Sequence, residues 1–340
     1  MSVSLLHKMI EEFRLGRELP TEQAEPFLDA LISESDESVL ASVLTAWHAK
    51  TIEENEIYEI ARIMRNRMAR VNSRHQRIVD IVGTGGSKAK TFNVSTAASF
   101  VVAGAGVAVA KHGNKAATSN SGSADVLSEL GINPSVDAAS AERCLNEVGI
   151  CFMFAPNYHR LSPTLAKVRR GLGFPTIFNC VGPLCNPASA PYQLIGVWDK
   201  ELVPRIANAL ARLGTKRSWV VHGEGGLDEV AIEGSTMIAE VDGSVRMFEV
   251  GPEYFGFQPS RTDKIRSEDP AHSAEMIRRT LLGEPHERAA EDIVVLNAAA
   301  ALHISGIKSN PVDAAHLAAE SLHSGAAHAK LVELAEAIPV

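Results

Sequence analysis

Ile78-Val79-Asp80-Ile81-Val82-Gly83-Thr84-Gly85-Gly86-Ser87 is a short β-branched run that discharges directly into a glycine loop. That grammar is a buried strand ending in a glycine loop. Downstream, residues 96–105 read as a helix and 106–110 as a second buried strand. Further strand-like runs fall at 151–154, 176–178, 219–222 and 237–241, with helical patterns at 124–130, 202–213 and 292–304 between them. Alternation of this kind predicts an α/β unit around a mainly parallel central sheet.

Upstream of Ile78 the texture differs. Leu5, Leu6, Met9, Ile10 and Phe13 recur at helical spacing and stop at Gly16. Phe27, Leu28, Leu31 and Ile32 form a second stripe, and Val39, Leu40, Val43, Leu44 and Trp47 a third. Thr51 and Glu54 make a capping-box pattern ahead of Ile57, Ile60, Ile63 and Met64. The expected organisation is a small helical domain over 1–72, joined in space by about 161–190. The α/β domain then takes 73–160 and 191–340, with a cleft between the two.

The chain has 340 residues, enough for two ordinary domains, with 45% apolar and 22% charged residues. A net charge of −8 argues against a general nucleic-acid or membrane-surface binder while allowing a local cationic pocket. No run has the length of a membrane span, and residues 1–14 mix charge into their apolar positions, unlike a signal peptide. A cytoplasmic location is expected. Cys144, Cys151, Cys180 and Cys185 have neither C-x-x-C nor zinc spacing and read as small buried hydrophobes.

Three loops carry chemistry. Gly83-Thr84-Gly85-Gly86-Ser87 is followed by Lys88, Lys90, Thr91, Asn93, Ser95 and Thr96. Glycines let backbone N–H groups crowd an anion, and the next helix adds its positive end. The spacing is neither that of a P-loop nor of a dinucleotide fingerprint. Lys111-His112-Gly113-Asn114-Lys115, with Thr118, Ser119, Ser121, Gly122 and Ser123, repeats the theme after a second strand. Two such loops at strand C-termini favour a phosphorylated ligand over two solvated turns. Gly225-Gly226-Leu227-Asp228-Glu229 offers adjacent carboxylates suited to magnesium, or else an ordinary acidic surface loop. Arg169 lies in a helical stretch over 161–172 and either forks onto a carboxylate or belongs to a solvated face.

In this order the loops resemble the anthranilate phosphoribosyltransferase family, relatives of the nucleoside phosphorylases. The resemblance rests on Gly83-Thr84-Gly85-Gly86, Asn93-Val94-Ser95-Thr96, Lys111-His112-Gly113-Asn114, Ser121-Gly122-Ser123-Ala124-Asp125, Phe178-Asn179, Gly182-Pro183-Leu184, Asn186-Pro187 and Leu227-Asp228-Glu229. It implies transfer of phosphoribose from phosphoribosyl pyrophosphate to anthranilate in tryptophan biosynthesis, by a homodimer using magnesium at two ions per monomer. Gly83, Gly86, Ser87, Thr91, Asn93, Val94, Ser95, Thr96, Lys111, His112, Gly113, Asn114, Lys115, Ala116, Ala117, Thr118, Ser119 and Ser123 would hold the donor. Ser95, Asp228 and Glu229 would serve the metal, and Gly83, Asn114, His112, His159 and Arg169 the acceptor. Asn114, Arg169, Asp228 and Glu229 are the expected catalytic set.

The chain also departs from the family. Ser87 stands where Asp is usual, Lys88 and Lys90 where small residues are frequent, and Lys115 where Arg is usual. Asn120 replaces a basic residue, Arg160 a proline, and Ser162 a bulkier side chain beside the acceptor channel. Two other readings stay open: the same scaffold with another aromatic acceptor, and a non-catalytic nucleic-acid-binding paralogue. The acidic balance disfavours the second.

Overall fold

The computed structural model describes residues 4–87, 89–116, 121–284 and 287–340. Four helices open the chain: α1 (Leu5–Arg14), α2 (Thr21–Ser33), α3 (Glu37–Ala49) and α4 (Glu54–Arg67). Their apolar stripes close on one aromatic knot, in which the Phe13 and Trp47 rings stack at 5.2 Å and Phe27 meets both edge-on. Glu56 lies inside this unit, a charge that must be fully satisfied there. It accepts from the Leu19 N–H at 2.9 Å, Trp47 Nε1 at 3.0 Å and Lys50 Nζ at 2.6 Å. Glu56 also closes the capping box of α4 with Glu53. The expected Thr51–Glu54 box is therefore displaced by two residues, because Thr51 sits at φ 70° in the connection.

The α/β portion follows as β1 (Ile78–Gly83), α5 (Val94–Gly104), β2 (Ala108–Gly113), α6 (Ser123–Glu129), α7 (Ala138–Glu147) and β3 (Ile150–Phe154). Next come α8 (Ala155–His159), α9 (Pro163–Gly171), α10 (Ile177–Val181), β4 (Tyr192–Gly196), α11 (Leu202–Arg212) and β5 (Arg217–Gly223). The chain closes with β6 (Thr236–Asp242), β7 (Ser244–Val250), α12 (Pro270–Leu282), α13 (Arg288–Ile304), α14 (Pro311–His323) and α15 (Ala326–Ala337). One seven-stranded sheet runs in the order β3-β2-β1-β4-β5-β6-β7. The first five strands in that order are mutually parallel, and β6 and β7 are antiparallel additions.

Apart from the largely exposed β7, the sheet is buried on both faces. Leu194, Trp219, Val221 and Ile238 point to the core shared with α5, α13 and α14. Their neighbours Ile195, Val220 and Ala239 point to the other core, which α11 shares with the opening helices. Helix α9 packs there too, with Lys167 Nζ 2.6 Å from Glu37 Oε1 of α3.

Several elements differ from the sequence expectation. Residues 176–178 are not a strand: Thr176 caps α10, and the Asn179 side chain reaches back to accept its N–H at 3.0 Å. The second strand begins at Ala108, since Gly106 at φ 85° belongs to the preceding turn. Strands β4 and β7 were not anticipated. All four cysteines are buried and unpaired. Among the described residues no helix is long and apolar enough to cross a membrane.

Candidate active site

Strand β1 lies between β2 and β4, so the loops leaving β1 and β4 diverge in opposite directions and open a crevice above their C-termini. Parallel sheets take ligands at that point. Gly83 ends β1 opposite Gly196 of β4, and the Thr84 N–H donates to the Gly196 carbonyl at 2.9 Å. Gly85 and Gly86 then turn at φ 69° and 83°, a region open to glycine at little cost. The Ser87 hydroxyl donates to the Gly226 carbonyl at 3.1 Å and so ties the first loop to the carboxylate loop.

Beyond this turn, Thr91 pairs with Arg266, and Val94, Ser95 and Thr96 open α5 after Asn93. Asn93 is fixed by two hydroxyls, accepting from Ser121 at 2.6 Å and from Ser273 of α12 at 2.9 Å. Lys111 projects from β2 beneath the helix start, donating to the Ser95 hydroxyl at 3.2 Å and the Ile81 carbonyl at 2.7 Å. Burial lowers its pKa to about 8 against the pull of Asp80 and Glu229.

The next loop leaves β2 at Gly113, whose Cβ would stand 2.2 Å from Ser123 Oγ. Asn114 and Lys115 are exposed, and Asp125 of α6 holds the loop by accepting from the N–H groups of Ala116 and Gly122 at 2.9 and 3.1 Å. Lys88, Ala117, Thr118, Ser119 and Asn120 lie outside the described residues.

Asp228 and Glu229 face this assembly from the loop after β5. Burial raises both carboxyl pKa values, and for Glu229 the neighbouring Asp228 charge raises it further while Lys111 opposes. Glu229 Oε2 has no hydrogen-bond partner among the described residues. Two crowded carboxylates with a free oxygen are what a divalent cation relieves. Among the described residues no three metal-ligating side chains close a cage of their own. The all-oxygen pair Asp228 and Glu229 suits magnesium, which keeps waters and completes its shell with substrate phosphate oxygens.

His159 at the end of α8 places Nε2 2.9 Å from His112 Nε2 of β2. Burial lowers the pKa of both rings, that of His159 to about 4, with Arg169 and the partner imidazole adding to the effect. Arg169 of α9 stacks its guanidinium 4.7 Å above the Phe178 ring. Its Nε has no partner among the described residues, and burial lowers its pKa to about 10. Arg169 is thus not part of a solvated face: it is a part-buried cation lying over an aromatic ring.

Other contributors escaped the sequence reading. Asp80, the one charge in β1, is buried and accepts from the His112 N–H at 3.1 Å and from Asn186 Nδ2 at 2.8 Å. A carboxylate inside an apolar strand was the available signal. Gly196 matters through closeness, because a Cβ there would stand 1.5 Å from the Asp228 carbonyl oxygen. Asn297, a lone amide in the alanine-rich α13, is buried behind the carboxylate loop.

Residues 75–328 match the family model described as glycosyl transferase family, a/b domain. Fold and crevice together define a protein of that class. Among curated relatives, the anthranilate phosphoribosyltransferase of Pelotomaculum thermopropionicum is 43% identical over 98% of this chain and 96% of its own. That of Azorhizobium caulinodans is 41% identical over 97% and 95%. The Thermus thermophilus enzyme of the same name superposes with a TM-score of 0.87 at 34% identity, covering 97% of this chain and 98% of its own. A Saccharomyces cerevisiae enzyme solved with phosphoribosyl pyrophosphate and magnesium gives 0.87 at 29%, covering 99% and 98%. The chain belongs to the anthranilate phosphoribosyltransferase family.

Proposed function

We infer that the protein transfers phosphoribose from phosphoribosyl pyrophosphate to anthranilate, giving N-(5-phosphoribosyl)anthranilate and diphosphate. The observation that carries this reading is the convergence of three elements on Lys111: the start of α5 through Ser95, the Asp80 network below, and Glu229 opposite. This is a site for a polyanion and its cation beside a part-buried arginine.

Gly83, Gly86, Ser87, Thr91, Asn93, Val94, Ser95, Thr96 and the loop over Lys111–Ala116 with Ser123 are assigned to the donor. The hydroxyls and backbone N–H groups of the helix start favour its phosphates. Asp228, Glu229 and Ser95 are the groups we assign to magnesium, at two ions per monomer. When bound, the metal supplies charge neutralisation to the departing diphosphate. Arg169 is assigned to the acceptor carboxylate, with Gly83, Asn114, His112 and His159 around it. The amine nitrogen attacks the anomeric carbon as the bond to diphosphate breaks, and the amine then sheds its proton. Aromatic amines are weakly basic, so positioning and leaving-group stabilisation dominate over general-base assistance. Neutral histidines suit this role, holding a carboxylate-bearing ring without a competing cation. We further propose a homodimer located in the cytoplasm, with the helical unit over 1–72 and 161–190 walling one side of the cleft.

Anthranilate fluorescence followed with phosphoribosyl pyrophosphate and magnesium tests the reading. Loss of signal that requires all components supports it. No loss, with diphosphate released on another aromatic acceptor, replaces anthranilate and keeps the scaffold reaction.

A further inference from the structure

Asn297 lies in α13, on the far side of the carboxylate loop from the crevice, and is almost fully buried. Its Oδ1 accepts from the Val230 N–H at 2.9 Å, and its Nδ2 donates to the Val230 carbonyl at 3.0 Å. One amide thus pairs both backbone groups of the residue that follows Glu229, as a neighbouring strand would. The second Nδ2 hydrogen donates to the Ile293 carbonyl at 2.9 Å, one turn back in α13, which fixes the amide's orientation on a rigid element. Only an amide has one acceptor and two donors in this arrangement.

The next peptide is held as well. The Ala231 N–H donates to Thr236 Oγ1 of β6 at 2.9 Å, and Thr236 is fully buried. On the opposite side, the Asp228 carbonyl crosses β4 so closely that Gly196 leaves no room for a side chain. The loop's own turn is closed by Gly223 and Leu227, which exchange backbone hydrogen bonds at 2.8 and 3.1 Å. The peptides on either side of the two carboxylates, at Leu227 and at Val230–Ala231, are therefore pinned, while the Glu229 Oε2 oxygen has no partner among the described residues. This is a carboxylate whose backbone is fixed and whose head group is reserved.

We propose that Asn297 is a positioning residue for the metal site, fixing Val230 so that Glu229 presents its carboxylate to the magnesium of the donor complex. The proposal rests on the assignment of Asp228 and Glu229 to magnesium. Asn297 touches neither donor nor acceptor; it acts through the backbone of its neighbour. Small oxygen-ligand cations demand near-ideal geometry, so a loop displaced by a few tenths of an ångström loses affinity without losing its ligands.

The test is Mn2+ binding in the presence of phosphoribosyl pyrophosphate without acceptor, followed by the paramagnetic resonance of free Mn2+, so that no turnover is involved. The wild type is compared with Asn297→Ala, Thr236→Val and Glu229→Gln, with melting temperatures measured alongside. Asn297→Ala is expected to weaken Mn2+ binding at least tenfold, and Thr236→Val about threefold. In turnover, the magnesium requirement should rise by the same factors, with kcat recovered at saturating metal. Thr236→Val preserves side-chain shape and stays informative should Asn297→Ala fail to fold. Unchanged Mn2+ binding in the folded Asn297→Ala protein overturns the proposal. Should that protein not fold, unchanged binding in Thr236→Val does the same. If Glu229→Gln also binds Mn2+ like the wild type, the assignment of the metal to this loop fails first. If Glu229→Gln weakens binding and the other variants do not, only the role of Asn297 is lost.

Discussion

His159 and His112 meet through their Nε2 atoms at 2.9 Å, with ring centroids 4.9 Å apart and planes nearly perpendicular. One Nε2 must donate and the other accept, and burial, which lowers both pKa values, favours the neutral pair with the two rings in opposite tautomers.

This sets an acid limit on stability. The unfolded imidazole takes a proton near 6.5, whereas His159 in the fold resists protonation until about 4. The stabilisation is full above pH 6.5 and is lost as pH falls toward 4, on the order of 3 kcal/mol for this ring. Urea unfolding of the wild type should weaken across that interval, and His159→Gln should show a shallower slope. Equal slopes would remove His159 from the account.

Arg169→Ala removes the part-buried guanidinium over Phe178. A lost charge-assisted hydrogen-bond pair should raise the anthranilate KM on the order of 10- to 100-fold and leave the KM for phosphoribosyl pyrophosphate within about twofold. Arg169→Lys should recover only part, since a point charge cannot fork. A donor KM that rises as much as the acceptor KM contradicts the assignment.

Under the proposed metal assignment, protons and magnesium compete for Asp228 and Glu229, whose carboxyls are both raised. The magnesium concentration giving half-maximal rate should therefore climb as pH is lowered. Steady-state magnesium titrations at stepped pH check this. In Glu229→Gln the dependence should flatten while the residual rate stays low, and a dependence identical to the wild type contradicts the role.

Gly196→Ala and Gly83→Ala should separate. At Gly196 the new Cβ meets the Asp228 backbone oxygen at 1.5 Å, so the loop itself must move, with loss of both activity and melting temperature. At Gly83 it meets only the Asp228 carboxylate oxygen, at 2.6 Å, which is the movable end of a side chain. That variant should melt like the wild type and fail in catalysis. Equal melting losses would contradict the distinction.

Removing the Glu56 carboxylate leaves Lys50 buried without its counter-charge and strands the Trp47 and Leu19 donors. Glu56→Ala should cost about 3–5 kcal/mol in denaturant unfolding. Replacing Glu56 and Lys50 together by apolar residues should cost less than Glu56→Ala alone. A double replacement that costs as much or more contradicts the charge argument.

Residues 78–87 were readable because β-branched density and glycine punctuation agree there. Strand β4 was not: it is five residues long with Gln193 at a fully buried position, and only the tertiary partners of that amide, Pro183 and Asp80, make the burial tolerable. Residues 176–178 misled for the converse reason, since their apolar content suits either element and Asn179 decides locally for a helical turn. Among site residues, those on loops announced themselves by type. Gly196 and Asn297 act on the backbone of Asp228 and Val230 from elements distant in sequence, so their meaning exists only after folding.

The placement of β1 inside the sheet, between β2 and β4, has a consequence for biosynthesis. During translation β1, β2 and β3 emerge first, but one edge of β1 has no partner until Tyr192–Gly196 leaves the ribosome. For over a hundred residues of synthesis that apolar edge is open, the kind of surface that recruits the wrong strand. The nascent chain should be most prone to misassociation in that interval, with β4 as the strand that ends it.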